Sequence, residues 1–277
     1  VSMDESQNYL AVSREVTVTV VPKEISAKIA PNGGIYGEII VPAVAALDGL
    51  VGKDNPEITL TYTGKANDGT EVNGTKVPSF AGIYTVTATI KDKNYSLKPE
   101  GASAAFIVAK AYPALSVSAV KDKKYGEEAF KLEVSNKGNG VKSYASSNDK
   151  VVTVDKNGVV TIVGAGTATL TVSLAETANY TADQKEVTIA VGKIEHSLVV
   201  DKISYKVTYG DPAFKITAKA GDTESGIQFA SDNKEVATVS KDGTVTMKGY
   251  GQTQVTISAA AKGNYLSTKK TVLITVK

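Results

Sequence analysis

The chain repeats itself. Residues 144–180 align without gaps on 229–265, with 17 of 37 positions identical at an offset of 85, and Tyr125-Gly126-Glu127 matches Tyr209-Gly210-Asp211 at an offset of 84. A fixed period means that one structural unit recurs. A unit of this length buries a core of its own, unlike the shorter repeats of a solenoid, which depend on their neighbours. Residues 1–20 align on 172–191 with 10 of 20 identical, so the chain is expected to begin inside a repeat, as an excerpt of a longer protein. Residues 22–110 form a divergent cousin: Tyr36-Gly37-Glu38 echoes Tyr125-Gly126-Glu127, and Asn94-Tyr95, Asn179-Tyr180 and Asn264-Tyr265 are spaced 85 apart. The expected organisation is the C-terminal remnant of a preceding repeat at 1–21, a divergent unit at 22–110, and two close copies at 111–193 and 194–277.

Inside each unit, apolar and polar residues alternate with period 2. In 151–163, valine and isoleucine interleave with threonine around Asp155-Lys156-Asn157-Gly158, the pattern of a hairpin between half-buried strands. The second copy carries Lys241-Asp242-Gly243 in its place, and further strands are expected at 168–174, 184–191, 253–259 and 270–276. Residues 57–90 read the same way, with a turn expected at Asn73-Gly74. No stretch shows a sustained helical stripe; residues 41–50 come nearest and are short. Short strands at close spacing point to two-sheet sandwiches. The joints, Ala109–Tyr112 and Gly192–Glu195, are too short to let the sandwiches wander, so an elongated array is expected.

Composition removes several function classes. Lysine and arginine number 31 against 29 acids, a formal net charge of +2, too balanced for a phosphate-backbone or anionic-lipid footprint. Nucleic acid is therefore not an expected partner. No apolar run reaches the roughly 20 residues that span a bilayer, so no membrane insertion is expected, and no signal-peptide pattern opens the chain. Cysteine is absent and His196 is the only histidine, which removes disulfides, thiolate nucleophiles and multi-histidine metal sites.

The run Ser146-Ser147-Asn148 to Val154, then Gly158, Val160, Gly164 and Gly166, resembles the group 2 bacterial immunoglobulin-like (Big_2) domain, and Ser231-Asp232-Asn233 to Ser258 matches as well. The resemblance covers 112–193 and 195–277. Residues 22–110, with Tyr36-Gly37, Tyr62-Thr63-Gly64, Gly82 to Val86 and Asn94-Tyr95, resemble the YGX (MBG-type) Ig-like units found beside them. The resemblance implies an all-β fold class, tandem Ig-like Greek-key β-sandwich domains in an elongated array. It further implies a secreted or surface-anchored bacterial protein in which such domains serve as stalks, adhesin segments or accessory modules. No catalytic residues accompany it.

His196 lies between Glu195 and Ser197 at the start of a repeat, where a solvated linker residue is expected, since catalysis needs further groups in geometry. The acids sit mainly in expected turns (Asp48, Asp54, Asp68, Asp155, Asp222, Asp242) or beside lysine, which is how solvated loops read, and not as a glycosidase pair. Calcium at the joints needs several carboxylates, whereas the joints offer Lys110 and Lys193 with Glu195; no cofactor or metal is expected. Gly164-Ala165-Gly166 and Gly249-Tyr250-Gly251 precede threonine-rich strands, not the helix a dinucleotide fingerprint requires. A lysine–asparagine isopeptide bond would need a buried pair beside an acid. The tyrosines recur in register: Tyr9, Tyr95, Tyr180 and Tyr265 follow asparagine, while Tyr36, Tyr125 and Tyr209 precede glycine. Packing is the expected reason, with a ring plugging a sandwich end and a hydroxyl finding a backbone carbonyl. Tyr62, Tyr84 and Tyr144 are assigned to packing as well. Tyr112, Tyr205 and Tyr250 remain as candidate exposed contact residues. The function expected is a non-catalytic extracellular stalk or spacer, monomeric, at the bacterial surface, contacting a surface glycan or a host or cell-wall protein. The rival is a carbohydrate-binding accessory stretch of a secreted polysaccharide-degrading enzyme.

Overall fold

The computed structural model describes residues 1–221 and 226–277; Asp222, one of the turn acids, lies outside them. Every regular element among the described residues is a strand or an isolated bridge. The residues nearest a helical pattern contain the strand Val44–Asp48, consistent with an apolar run too short for helix propagation. The chain divides into two compact units. Unit 1 is Val1–Pro113 with Gly138–Gly140 and Glu176–Ala182, and unit 2 is Ala114–Lys137, Val141–Ala175 and Asp183–Lys277.

In unit 1, one sheet runs in the order Gly34–Ile35, Ser103–Ala109, Gly82–Ile90, Ile58–Ala66, Glu71–Gly74, and a second holds Val44–Asp48, Lys23–Ala30 and Tyr95–Leu97. Alternation sorts the side chains: along Gly82–Ile90, Tyr84, Val86 and Ala88 are buried while Ile83 faces solvent. They share a core with Ile29, Ala43, Tyr62 and Phe106. The Phe106 ring lies 6.0 Å from Tyr62 and 5.6 Å from Tyr84, and Tyr84 Oη donates to the Phe80 carbonyl at 2.8 Å. The turn expected at Asn73-Gly74 is corrected. Both residues lie in the strand Glu71–Gly74, paired with Thr63 and Tyr62. The chain reverses instead at Asn67–Thr70, where Gly69 takes φ 91° and Asp68 Oδ1 accepts the Thr70 N–H. Two Asn/Asp-Gly signals compete here, and the aspartate that bonds its own backbone wins. Residues 1–20 contain a short exposed hairpin of Ser2–Met3 with Val12–Ser13.

Unit 2 holds two sandwiches with one strand order. The first pairs the sheet Lys123–Lys124, Asp183–Gly192, Gly166–Leu174, Lys142–Ser146 with Phe130–Lys131, Val159–Ile162, Val152–Val154. The second pairs Ser204–Val207, Thr268–Val276, Gly251–Ala259, Ile227–Ser231 with Phe214–Lys215, Thr244–Met247, Ala237–Val239. Each has its own core, around Leu170, Val172 and Ile189 in one and Val255, Ile257 and Ile274 in the other. Full burial of such side chains contributes about 1.5–3 kcal/mol each.

The expected hairpins are present, and the structure shows why they recur. Asp155 Oδ1 accepts the Asn157 and Val159 N–H groups, both at 2.8 Å. Gly158 and Gly243 adopt φ 78° and 87°, the left-handed region that glycine occupies without steric cost. A Cβ on Gly158 would stand 3.0 Å from the Tyr144 ring, and one on Gly243 would stand 3.0 Å from the Phe229 ring and 2.5 Å from the Ile216 carbonyl oxygen. The turn glycine and the aromatic residue of the neighbouring strand are thus one packing unit. Gly210, also left-handed at φ 94°, has nothing within 4 Å of such a Cβ. Gly210→Ala is expected to cost only the left-handed term of about 1–2 kcal/mol. Gly243→Ala adds a collision with backbone to that term and should destabilise more, read as faster hydrogen exchange at the core amides of the second sandwich.

Candidate functional site

Each repeat carries two tyrosine turns. The first is Tyr-Gly-acid. Tyr36, Tyr125 and Tyr209 each donate their N–H to a carbonyl at the end of the repeat's last strand, Ala109, Gly192 and Lys277, at 2.8–2.9 Å. Gly37, Gly126 and Gly210 follow with φ 88°, 84° and 94°. The next residue closes the turn, Glu38 N–H to Ile35, Glu127 to Lys124 and Asp211 to Thr208, as a turn with glycine at its third position does. The second is Asn-Tyr. The carbonyls of Asn94, Asn179 and Asn264 accept the N–H of Lys23, Ala111 and Ile194, so each Asn-Tyr turn is fixed beside the start of its own repeat.

These two turns meet. In unit 1, Asn179 Oδ1 accepts the Ala81 N–H at 3.0 Å, and the Tyr180 ring stands edge-on to Tyr36 at 5.4 Å. Asn67 Nδ2 donates to the Ala178 carbonyl at 3.0 Å, and Lys110 pairs with Glu176. In unit 2 the same contact recurs: Asn264 Oδ1 accepts the Ala165 N–H at 2.7 Å, and Tyr265 stands edge-on to Tyr125 at 6.0 Å. Ala81 and Ala165 each precede the glycine that opens a long strand, Gly82–Ile90 and Gly166–Leu174. The asparagine and tyrosine of one repeat therefore engage the repeat before it. The expectation for the register tyrosines is corrected in this respect. Tyr180 and Tyr265 pack against another tyrosine of the preceding repeat, and the carbonyl-bonded hydroxyl belongs to Tyr84, outside the register. Tyr95 is buried and donates its hydroxyl to Asp54 Oδ2, while Tyr9 is exposed.

His196 is also corrected. It is 6% exposed and stacks on Tyr265 at 4.7 Å with an interplanar angle of 15°, so Tyr265 meets both His196 and Tyr125. A linker only one residue long beyond the strand Asp183–Gly192 draws the imidazole onto the junction. Tyr205 is half-buried against Phe214 at 4.5 Å, donates to Asp201 Oδ2 at 2.7 Å and lies under Lys202 Nζ at 5.5 Å, where a free contact residue was expected. Burial, then the Asp201 hydrogen bond, push its phenol up to about 12. Burial works against the Asp201 carboxylate, and hydrogen bonds led by the Tyr205 hydroxyl overcome it and hold the carboxyl low. Tyr112 and Tyr250 are exposed.

The chemistry available is narrow. Among the described residues no three of His, Asp and Glu gather as a metal site, and His196 and Thr253 are the buried polar side chains. The buried lysine that an isopeptide bond requires is thus not found among the described residues. An open cleft of about 600 Å³ in unit 2 is lined by Asp122, Lys123, Lys124, Glu127, Ala165 and Lys193 among others. Lys123 pairs with Glu127 at 3.1 Å and, by that bond first, lowers its carboxyl. The cleft holds one ion pair, Lys123 with Glu127, beside Asp122, Lys124 and Lys193.

Asn264→Ala removes one hydrogen bond and leaves the Ala165 N–H open, an expected loss of about 1 kcal/mol, checked by exchange of the Ala165 amide. For Tyr205 the sign follows from its raised phenol. The folded state holds the proton more tightly, so this contribution is complete below the ordinary value near 10 and is lost as pH rises towards about 12. Tyr205→Phe should abolish the late-titrating phenolate in an ultraviolet alkaline titration and shallow the loss of stability over that range.

Residues 125–176 match the family model described as "Intimin, immunoglobulin-like domain". No curated protein matches the chain. Among solved structures, Drosophila N-cadherin EC1-4 is similar at 12% identity and a TM-score of 0.30, over 92% of this chain and 73% of that one. Domains 1-6 of the surface layer protein SbsC are similar at 21% identity and a TM-score of 0.28, over 96% of this chain and 41% of that one. Immunoglobulin domains 1-5 of Sidekick-1 are similar at 12% identity and a TM-score of 0.29, over 94% of this chain and 60% of that one. The chain thus spans less than half the length of the SbsC chain it matches. Its fold is all-β, a tandem series of Ig-like sandwiches.

Proposed function

We propose that the chain is a non-catalytic segment of a larger bacterial secreted or cell-surface protein, serving as an extracellular stalk or spacer with adhesive contacts to a surface glycan or to a host or cell-wall protein. The repeats doing this are bounded at 22–110, 111–193 and 194–277, the first of YGX type and the others of Big_2 type. One observation carries the reading: the same Asn-Tyr turn engages the preceding repeat at Ala81 and Tyr36 and again at Ala165 and Tyr125. A chain that uses repeated side chains to join domains, with no group of three His, Asp or Glu placed to hold a metal among its described residues, is organised for spacing. The match of 125–176 to an intimin Ig-like domain supports the surface setting.

Pulling the full chain by its ends tests the spacer role. Separate rupture events, each releasing about 280 Å of contour for a sandwich of roughly 80 residues at 3.3–3.6 Å per residue, are the expected outcome, together with no turnover of polysaccharides. A single rupture of the whole chain, or measurable hydrolysis, would overturn it. Glycan-array binding lost on Tyr250→Ala would favour the carbohydrate-binding accessory reading instead.

A further inference from the structure

The last repeat carries the receiving half of the junction again, and among the described residues no Asn-Tyr turn lies on it. Tyr209 occupies the place of Tyr36 and Tyr125: its N–H bonds the Lys277 carbonyl at 2.8 Å, Gly210 follows with a left-handed φ, and Asp211 closes the turn. Tyr250 occupies the place of Ala81 and Ala165, directly before Gly251, which opens the strand Gly251–Ala259. Where the Ala81 and Ala165 N–H groups reach an asparagine oxygen, the Tyr250 N–H has no acceptor among the described residues. Tyr36 and Tyr125 are half-covered, but Tyr209 is 49% exposed and Tyr250 72%. The two rings lie together at 5.1 Å, an aromatic pair left in water at the position where two earlier repeats are covered.

We infer that the face formed by Tyr209, Tyr250 and the Tyr250 N–H is a docking site for the Asn-Tyr turn of a further Ig-like repeat of this type. The incoming asparagine oxygen accepts the Tyr250 N–H, and the incoming tyrosine sets its edge against the Tyr209–Tyr250 pair. The occupant is identified by the two junctions already formed within the units, which use the same backbone donor position and the same pinned tyrosine. An aromatic pair and a single hydrogen bond each shift an equilibrium by on the order of tenfold. That is too little to hold a free partner, yet enough for a repeat tethered at high effective concentration. The site therefore suits a tethered repeat rather than a free one. This inference does not depend on where the protein works in the cell.

The test appends a second copy of residues 193–277 directly after Lys277 in the full chain and follows amide exchange by NMR. Docking slows exchange of the Tyr250 amide by about tenfold, the factor that a bond of about 1.4 kcal/mol gives. Asn264→Ala in the appended copy alone abolishes that protection while the Ala165 amide, held by the original Asn264, stays protected as an internal reference. Tyr209→Ala weakens the protection without touching Ala165. Equal Tyr250 exchange with and without the appended copy would overturn the inference, as would protection that survives Asn264→Ala. Selective broadening of the Tyr209 and Tyr250 ring signals by a soluble β-glucan oligosaccharide, with Tyr250 exchange indifferent to the appended repeat, would assign the face to a saccharide and overturn it as well.

Discussion

The junctions rest on an asparagine side chain that leaves its own sandwich. In a β-sandwich the backbone groups of the strands are consumed by the sheets, and the loops at its ends carry the unspent donors. Ala81 and Ala165 sit in such loops, one residue before a strand begins, and their N–H groups have no ladder partner. Asn179 and Asn264 supply the acceptor from the following repeat. A hydrogen bond of this kind is directional, so it constrains the local geometry of the two turns it joins. The adjacent tyrosine edge adds apolar area on the same spot, and in unit 2 the stacked His196 thickens it.

The two sandwiches of unit 2 keep their cores apart from the junction. The cores around Leu170 and around Val255 are separate clusters, each made by alternate residues of facing strands. The period-2 pattern therefore sets stability inside a repeat, while the Asn-Tyr and Tyr-Gly turns carry the contacts Asn179 to Ala81 and Asn264 to Ala165. These tasks fall on different residues, so the core positions vary between copies, as Leu170 becomes Val255, while the turns keep their identity.

Much of the fold was legible because it is local. The hairpins at Asp155–Gly158 and Lys241–Gly243 are written in turn chemistry and alternation, and the strands that follow lie where the pattern puts them. The failure at Asn73-Gly74 has a local cause too: Asp68-Gly69, a few residues earlier, bonds its own backbone and takes the reversal. The candidate site was less legible. Self-alignment shows that Asn-Tyr and Tyr-Gly recur, but comparison of a repeat with its copies superimposes residues that play the same role and hides which of them touch. Tyr180 and Tyr36 carry no mutual signal in sequence. The burial of His196 is hidden for a similar reason, because its neighbours in sequence are polar while its neighbour in space is Tyr265.

The difference between Tyr95 and its counterparts shows how the device is switched off. Asn94 keeps the backbone bond to Lys23 that Asn179 and Asn264 make to their own repeats, so the turn itself is intact. Its ring is buried and its hydroxyl is committed to Asp54 and to the Val51 N–H. In the divergent repeat, Val51 and Asp54 thus give a local partner to the tyrosine that elsewhere faces a preceding repeat. The turn is a constant of the fold, and the direction in which its tyrosine is spent is the variable. One loop is sufficient to change it, because the ring needs only an apolar wall and an acceptor, and a sandwich end supplies both at short range.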